Sequence, residues 1–370
     1  MRLSRLSLAH FRNYAGLEFR PGPEVNLLIG ANAQGKTNLL EAIALVARGR
    51  SARVRTRTDI VRHGQIHCRI DAEFEDGRGL PHSVGFGIDS SGARRISLDQ
   101  QRLERTSQLY ATLPCVFQES TDLDILTGPP ATRRAFLDTL CLELAVSYLG
   151  VYLEYQKLLR SRNVLLVRHR HGAELGVIEV QLARVAARLV HDRRRAVSEL
   201  ERTIVELPHA GEEERMDLEY RLACGETVPA AATSTQELEA WYLQSWQTRL
   251  DEDLRLRTTT VGPHRDDLSI RLGGWPIKRV ASRGQLKDVL LRLRLAEAAT
   301  ISQVREDPPI MLLDDAFSET DETRRRRMTC WLPRNTQIFL TGTDASLEKE
   351  FEGSECRRFR VRNGAVDAVS

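Results

Sequence analysis

Two short stretches of this chain carry residue types that could handle a nucleoside triphosphate. The first is Gly30-Ala31-Asn32-Ala33-Gln34-Gly35-Lys36-Thr37, spaced as GxxxxGK[ST]. In that pattern successive backbone N–H groups wrap the β- and γ-phosphates, Lys36 sets its ammonium against them, and Thr37 offers a hydroxyl to Mg²⁺. The glycines let the backbone turn tightly without a Cβ clash. The second stretch is Asp314-Asp315, directly after the apolar run Met311-Leu312-Leu313. A carboxylate at the end of a buried strand is where a nucleotide-bound Mg²⁺ needs a ligand, which is expected of Asp314. Asp315 is then expected to accept a hydrogen bond from a water and orient it toward the γ-phosphate.

Such chemistry requires elements that hold the loop. Val25 to Ile29 is a short apolar run suited to a buried strand, and Leu39, Ile43 and Val46 share one face of a following helix. Strand, loop and helix therefore come in the order the motif needs. Around them, Leu3, Leu6 and Leu8 open the chain as a strand, and Ile66, Cys68, Ile70, Ala72 and Phe74 alternate. Val84, Phe86 and Ile88 alternate again before Asp89-Ser90-Ser91-Gly92 turns the chain toward Ile96 and Leu98, which reads as an antiparallel hairpin. From about Ala135 to Leu207 helical spacing takes over (Leu140, Leu144, Tyr148, Val151, then Leu182, Val185, Leu189, Ala196). Pro208 is expected to end that run, Gly211 to Arg215 to form a solvated turn, and Gln236 to Arg255 to bring the chain back as helix. From Thr258 onward β and α signals alternate. Ser282 with Gln285 has the spacing of a capping box, so a helix is expected to begin there. Gly284 beside that helix start would leave free N–H groups and a positive dipole end, which suits a γ-phosphate.

Bulk properties exclude some classes. At 370 residues, 41% hydrophobic and 28% charged, the chain can bury a sizeable core. No apolar run approaches the ~18 residues of a membrane span, and no secretory leader is read, so a cytoplasmic protein without membrane partners is expected. Cys68, Cys115, Cys141, Cys224, Cys330 and Cys356 are far apart without a CxxC pair, and read as reduced thiols. The net charge of +3 is too small to argue for nucleic acid. Lysine stands only at positions 36, 157, 278, 287 and 349, so arginine carries the positive charge. Guanidinium groups suit phosphate contacts, although a genomic composition bias produces the same excess.

With these residues in place, the chain resembles the RecF family, the recombination-mediator branch of the SMC-like ABC-type ATPases. The resemblance rests on Phe11-Arg12-Asn13-Tyr14, on the phosphate loop continuing as Asn38-Leu39-Leu40-Glu41-Ala42, and on Gly128 to Asp138 with its Arg133-Arg134-Ala135-Phe136-Leu137. It also rests on Arg162-Asn163, Val261 to Leu268, Ser282-Arg283-Gly284-Gln285, and Leu312 to Asp315 leading into Ser318 to Asp321. It implies an α/β ABC-type ATPase head, a mixed sheet with the phosphate loop plus an antiparallel lobe, interrupted by a helical arm. The halves of the head are expected at 1–135 and 258–370, the arm at 136–257. It further implies an ATP-dependent homodimer in which Ser282 and Gly284 meet the partner's nucleotide, while Asp321 communicates across the interface. The implied cycle is ATP and Mg²⁺ binding, closure on single-stranded, gapped or junction DNA, weak DNA-stimulated hydrolysis, and release. With RecR and RecO, such proteins help load the RecA recombinase, and replication restart and the SOS response are implied as well. Gln118 is placed near the Mg²⁺ by position.

This chain departs from the family pattern at Leu286, Thr320, Gly342 within Thr341 to Asp344, and Ser120-Thr121-Asp122. Leu286 stands where glutamine is usual and could slow hydrolysis. For DNA, the arginine clusters at 53, 55 and 57, at 133 and 134, at 193 to 195 and at 324 to 327 are candidate surfaces, each of which could equally be a solvated or internally paired face. Sparse aromatics argue against base stacking. His264, Arg265, Asp266 and Asp267 read as structural ion-pair and hydrogen-bond partners, not a triad. Alternatives that stay open are another SMC-like ATPase not dedicated to gap repair, a transporter ATPase subunit, and an idle scaffold; intact Lys36, Thr37, Asp314 and Asp315 weigh against the last.

Overall fold

In the computed structural model, all residues are described except 52, 54, 55, 90, 169–171, 208–213, 224–233, 319, 344–345, 352–354 and 370 and the side chains of Arg57, Ser346 and Glu348. Arg55, Pro208, most of the expected 211–215 turn and Cys224 thus lie outside the described residues. The chain divides into two compact units, Met1–Leu123 with Ala281–Ser370, and Asp124–Val280.

The first unit is built on two six-stranded sheets. The antiparallel one runs, in spatial order, Tyr14–Phe19, Arg2–Phe11, His67–Glu75, Pro81–Asp89, Arg94–Leu98 and Gln101–Arg102. Alternation of buried and exposed residues along His67–Glu75 and Pro81–Asp89 is what a half-buried antiparallel sheet demands. Leu3 and Leu6 are both buried although three residues apart, because the register slips between Leu3 and Arg5. That bulge resets the two-residue period. The expected hairpin pairs Val84 with Leu98 and Phe86 with Ile96.

The mixed sheet runs Ala365–Val369, Cys356–Arg362, Val25–Ile29, Ile338–Gly342, Ile310–Leu313 and Cys115–Gln118. Its inner strands pair in parallel. Ile310–Leu313 is buried on both faces, as its unbroken apolar run requires. One apolar core joins the two sheets to the helix Lys36–Arg48 through Leu6, Phe74, Leu28, Phe117, Leu39 and Ile43. The carboxyl ends of Val25–Ile29, Ile338–Gly342 and Ile310–Leu313 are thereby held side by side.

The second unit carries the helices Pro130–Leu144, Tyr148–Val167, Ala173–Glu206, Thr235–Thr248 and Leu250–Leu256. The stretch expected to be a helical arm falls within it, but the unit is not all helix. Met216–Arg221 pairs antiparallel with Asp267–Leu272, which also pairs with Trp275–Pro276. Six residues of strand between long helices leave too short a period to announce themselves in the sequence. Among the described residues no helix is long and apolar enough to cross a membrane.

Candidate nucleotide site

The loop Gly30 to Gly35 leaves the carboxyl end of Val25–Ile29 and enters the helix Lys36–Arg48, with Gly35 as its N-cap. Gly30 has no alternative: a Cβ there would overlap the carbonyl oxygen of Val361 on the neighbouring strand. Lys36 Nζ donates to the carbonyls of Gly30 at 2.6 Å and Ala31 at 2.9 Å, which folds its side chain over the loop. Burial pushes the Lys36 ammonium below its ordinary range, and the charges of Asp315 and Asp314 oppose that shift.

Thr37 Oγ1 donates to Asp314 Oδ1 at 3.1 Å, and Thr341 Oγ1 donates to the same oxygen at 2.8 Å. The Asp315 backbone N–H then donates to Thr341 Oγ1 at 2.8 Å. Two strand ends and the start of the helix are thus stitched at one carboxylate. Burial raises the Asp314 carboxyl above its ordinary range, and the hydroxyls of Thr341 and Thr37 oppose that shift. The sequence singled out Thr341 only as the first residue of the departing stretch Thr341 to Asp344; its contact with Asp314 depends on the pairing of Ile338–Gly342 with Ile310–Leu313.

A cleft of about 310 Å³ opens over these groups, lined by Asn32, Ala33, Gly35, Lys36, Thr37, Asn38, Arg53, Ser120, Asp314, Asp315 and Thr341. Most of the expected nucleotide residues therefore meet in one place. A second cleft of about 290 Å³ shares Ser120, Asp314 and Asp315 with it and extends past Gln118 to Arg283 and Lys287. Gln118 is buried, and its Oε1 has no hydrogen-bond partner among the described residues. A hydroxyl, a carboxylate and an unpartnered amide oxygen form a hard oxygen set that fits Mg²⁺. Ser282 and Gly284 line neither cleft. They sit at the start of the helix Arg283–Arg305, where Ser282 and Gln285 close the expected reciprocal cap. Arg324 lies against Gly284 so closely that a Cβ would overlap its guanidinium.

Arg53, considered above for DNA, instead faces the first cleft, with Glu41 Oε2 at 3.5 Å and Glu119 Oε1 at 3.7 Å. Glu119 is pushed up to about 7, by burial first and by Asp122 and Glu41, against the pull of Arg53. Other arginines considered for DNA are also engaged within their own unit. Arg133 grips Asp267 with two bonds, at 2.7 and 2.9 Å. Arg134 donates to the Asp266 carbonyl. Arg193 is buried against Asp138, Tyr148 and the Pro263 carbonyl. Arg324 and Arg327 pair with Asp288, and Arg326 pairs with Glu322 on its own helix. Arg195 remains exposed.

The comparisons with known proteins complete this description. The family described as RecF/RecN/SMC N terminal domain matches residues 2–362. The DNA replication and repair protein RecF of Heliobacterium modesticaldum is 35% identical over 353 residues, covering 93% of this chain and 92% of that protein. The chain belongs to the RecF family. A second RecF, from Synechococcus sp., is 33% identical over 350 residues, covering 93% of this chain and 91% of its own. A solved RecF–ATP structure, of the recombination mediator protein in the RecFOR pathway, superposes with a TM-score of 0.85 at 26% identity. It covers 100% of this chain and 97% of that one. An Smc head bound to the C-winged helix domain of ScpA shares the fold alone, with a TM-score of 0.58 at 14% identity. The fold is therefore the α/β head of ABC-type ATPases, and RecF proteins are ATPases of DNA replication and repair.

Proposed function

We propose that this RecF protein is an ATP-gated DNA clamp of recombinational repair. Its head (1–135 and 258–370) and its helical arm (136–257) act as a cytoplasmic, ATP-dependent homodimer. The loop Gly30 to Thr37 holds the phosphates, with Ala31, Asn32, Ala33, Gln34 and Gly35 presenting backbone and Lys36 presenting charge. Thr37 and Asp314, with Gln118, would hold Mg²⁺, which supplies charge neutralisation at the phosphate oxygens. Asp315 orients water for slow, DNA-stimulated hydrolysis, and Ser282 and Gly284 complete the partner's site. The closed dimer binds single-stranded, gapped or junction DNA and, with RecR and RecO, helps load RecA.

The observation that carries this reading is the joint of Thr37, Asp314 and Thr341 beside Lys36, in a cleft of about 310 Å³. The test is fluorescence anisotropy of a labelled gapped duplex with ATP, with ADP and without nucleotide, at one salt concentration. Tight binding with ATP alone, lost in Lys36→Ala, is the expected result. Equal binding in all three conditions would overturn gating by nucleotide and favour another SMC-like ATPase role.

A further inference from the structure

The residues behind the phosphate loop come from the two ends of the chain. Asn13 lies in the tight turn between Arg2–Phe11 and Tyr14–Phe19, where Phe11 pairs with Tyr14. Asn363 and Gly364 form the two-residue turn between Cys356–Arg362 and Ala365–Val369, with φ of 47° and 76°. Two successive positive φ values are what a type I′ hairpin requires. Both turns converge on Gln34. Its carbonyl accepts from Asn13 Nδ2 at 3.0 Å and from the Gly364 N–H at 3.1 Å. Its side-chain Oε1 accepts from the Asn363 N–H at 2.8 Å.

A peptide unit is planar and trans, so its C=O and N–H point to opposite sides. Two donors on the Gln34 carbonyl therefore turn the Gly35 N–H away from both hairpins. Gly35 lines the cleft on that other side. The next peptide is fixed in the same manner, since the Gly35 carbonyl accepts from Tyr14 Oη at 3.0 Å and from the Leu39 N–H at 2.9 Å. A backbone whose N–H groups are oriented before a ligand arrives loses less ordering entropy on binding it.

We propose that the Asn363-Gly364 turn is a positioning element for the nucleotide: it holds Gln34 from behind and so aims the N–H groups of the phosphate loop. This rests on the reading of Gly30 to Thr37 as the ATP site. Gly364 is the sensitive point, because a Cβ there would stand 2.6 Å from the Asn13 carbonyl oxygen at a φ that side chains resist.

The experiment measures affinity for ATP carrying a fluorescent N-methylanthraniloyl group, together with KM, kcat and thermal stability. Gly364→Ala is expected to weaken nucleotide binding and raise KM at least fivefold, with kcat within about twofold of the parent. Gln34→Ala removes the side-chain acceptor without adding bulk and is expected to weaken binding about threefold at an unchanged melting temperature. Because both loosen the hold of one turn on Gln34, the double variant is expected to lose less affinity than the sum of the two single losses. Asn363→Gly keeps the N–H and the positive φ and is expected to bind like the parent. Unchanged affinity in both Gln34→Ala and Gly364→Ala would overturn the proposal, as would losses that follow melting temperature alone. Should Gly364→Ala fail to fold, Gln34→Ala decides. A parent protein that fails to bind the nucleotide would instead overturn the ATP reading itself.

Discussion

The charged groups of the nucleotide cleft and those of the Asp124–Val280 unit are drawn from the same residue types but are finished differently. Around the cleft, Lys36, Arg53, Asp314 and Asp315 border open volume. In the second unit Arg162 and Arg193 close on buried partners instead. Arg162 is fully buried, donating to Glu179 at 3.0 Å, to Asp253 at 2.6 Å and to Thr259 at 2.9 Å, with its guanidinium 5.2 Å from the Trp246 ring centre. Asn163 accepts from the N–H and hydroxyl of Thr259. Arg193 is closed in the same way. A guanidinium with its donors spent on buried acceptors is a structural part, because freeing it for a ligand strands the partner charges. Charge that borders a cleft can receive a ligand. Residue type alone does not separate the two.

The sharpest way to break this contrast is to remove one member on each side. Asp315→Asn is expected to lower ATP turnover by about 10²–10⁴-fold while leaving nucleotide affinity near the parent value, the signature of a group that assists proton transfer. Single-turnover kinetics beside a binding titration separates the two effects. A loss of affinity equal to the loss of rate would place Asp315 in binding instead. On the other side, Arg162→Ala leaves Asp253 buried without its partner and is expected to cost about 3–5 kcal/mol. Calorimetry should show a melting transition lowered on the order of 10 °C, with nucleotide affinity unaltered below it. If the stability cost is under about 1 kcal/mol, the network is not the structural part described.

What could be read before the fold was known follows from this division. The phosphate loop was legible because its members are contiguous and its flanking strand and helix have opposite hydrophobic periods. Asp314 was legible because a carboxylate ending a four-residue apolar strand has few uses. Arg133 and Arg193 were not, since Arg133 meets Asp267 across 134 positions and Arg193 meets Pro263 across 70. Nothing local distinguishes a buried, paired arginine from one on a DNA-facing surface. The support behind Gln34 was hidden for the same reason, with Asn363 lying 329 positions away. His264 to Asp267 were read as structural partners because neighbours on a strand point to opposite faces. The structure gives the side chains of three of them partners: Tyr155 and the Thr259 carbonyl for His264, Tyr220 for Asp266, Arg133 for Asp267.

That cluster also sharpens the comparison through pH. Burial lowers His264 to about 4, so the folded state refuses a proton that the unfolded chain accepts at its ordinary 6.5. Its contribution is complete above 6.5 and is lost as pH falls toward 4. Burial raises the Asp266 carboxyl to about 6, against the Tyr220 hydrogen bond, from an ordinary 3.8. Its contribution is complete below 3.8 and is lost as pH rises through 6. Each is bounded at about 3 kcal/mol by its shift. The two slopes oppose between pH 4 and 6 and largely cancel. Relative to the parent, Asp266→Asn is expected to lose stability as pH drops from 6.5 to 4, and His264→Asn to gain it. Denaturant midpoints across that range check both signs; parallel curves for all three proteins would show that neither group titrates differently on folding.

The smallest expected effect tests whether any arginine of the second unit is left for DNA. Arg195 is exposed, with Asp192 one turn away on the same helix, whereas Arg193 two residues earlier is buried and paired. Replacing an exposed arginine away from buried partners changes stability by no more than about 0.5 kcal/mol. If Arg195 neutralises a DNA phosphate, Arg195→Ala reduces the slope of log affinity against log salt by about 0.9, with no change in sequence preference. Arg193→Ala should instead lower the melting temperature and leave the slope per bound phosphate unchanged at temperatures where the protein is folded. Both readouts come from anisotropy titrations on the gapped duplex at four salt concentrations beside a thermal melt. An Arg195→Ala slope equal to that of the parent returns Arg195 to the solvated face of its helix. A reduced slope with Arg193→Ala at full fold would break the division between spent and available charge at its most buried member.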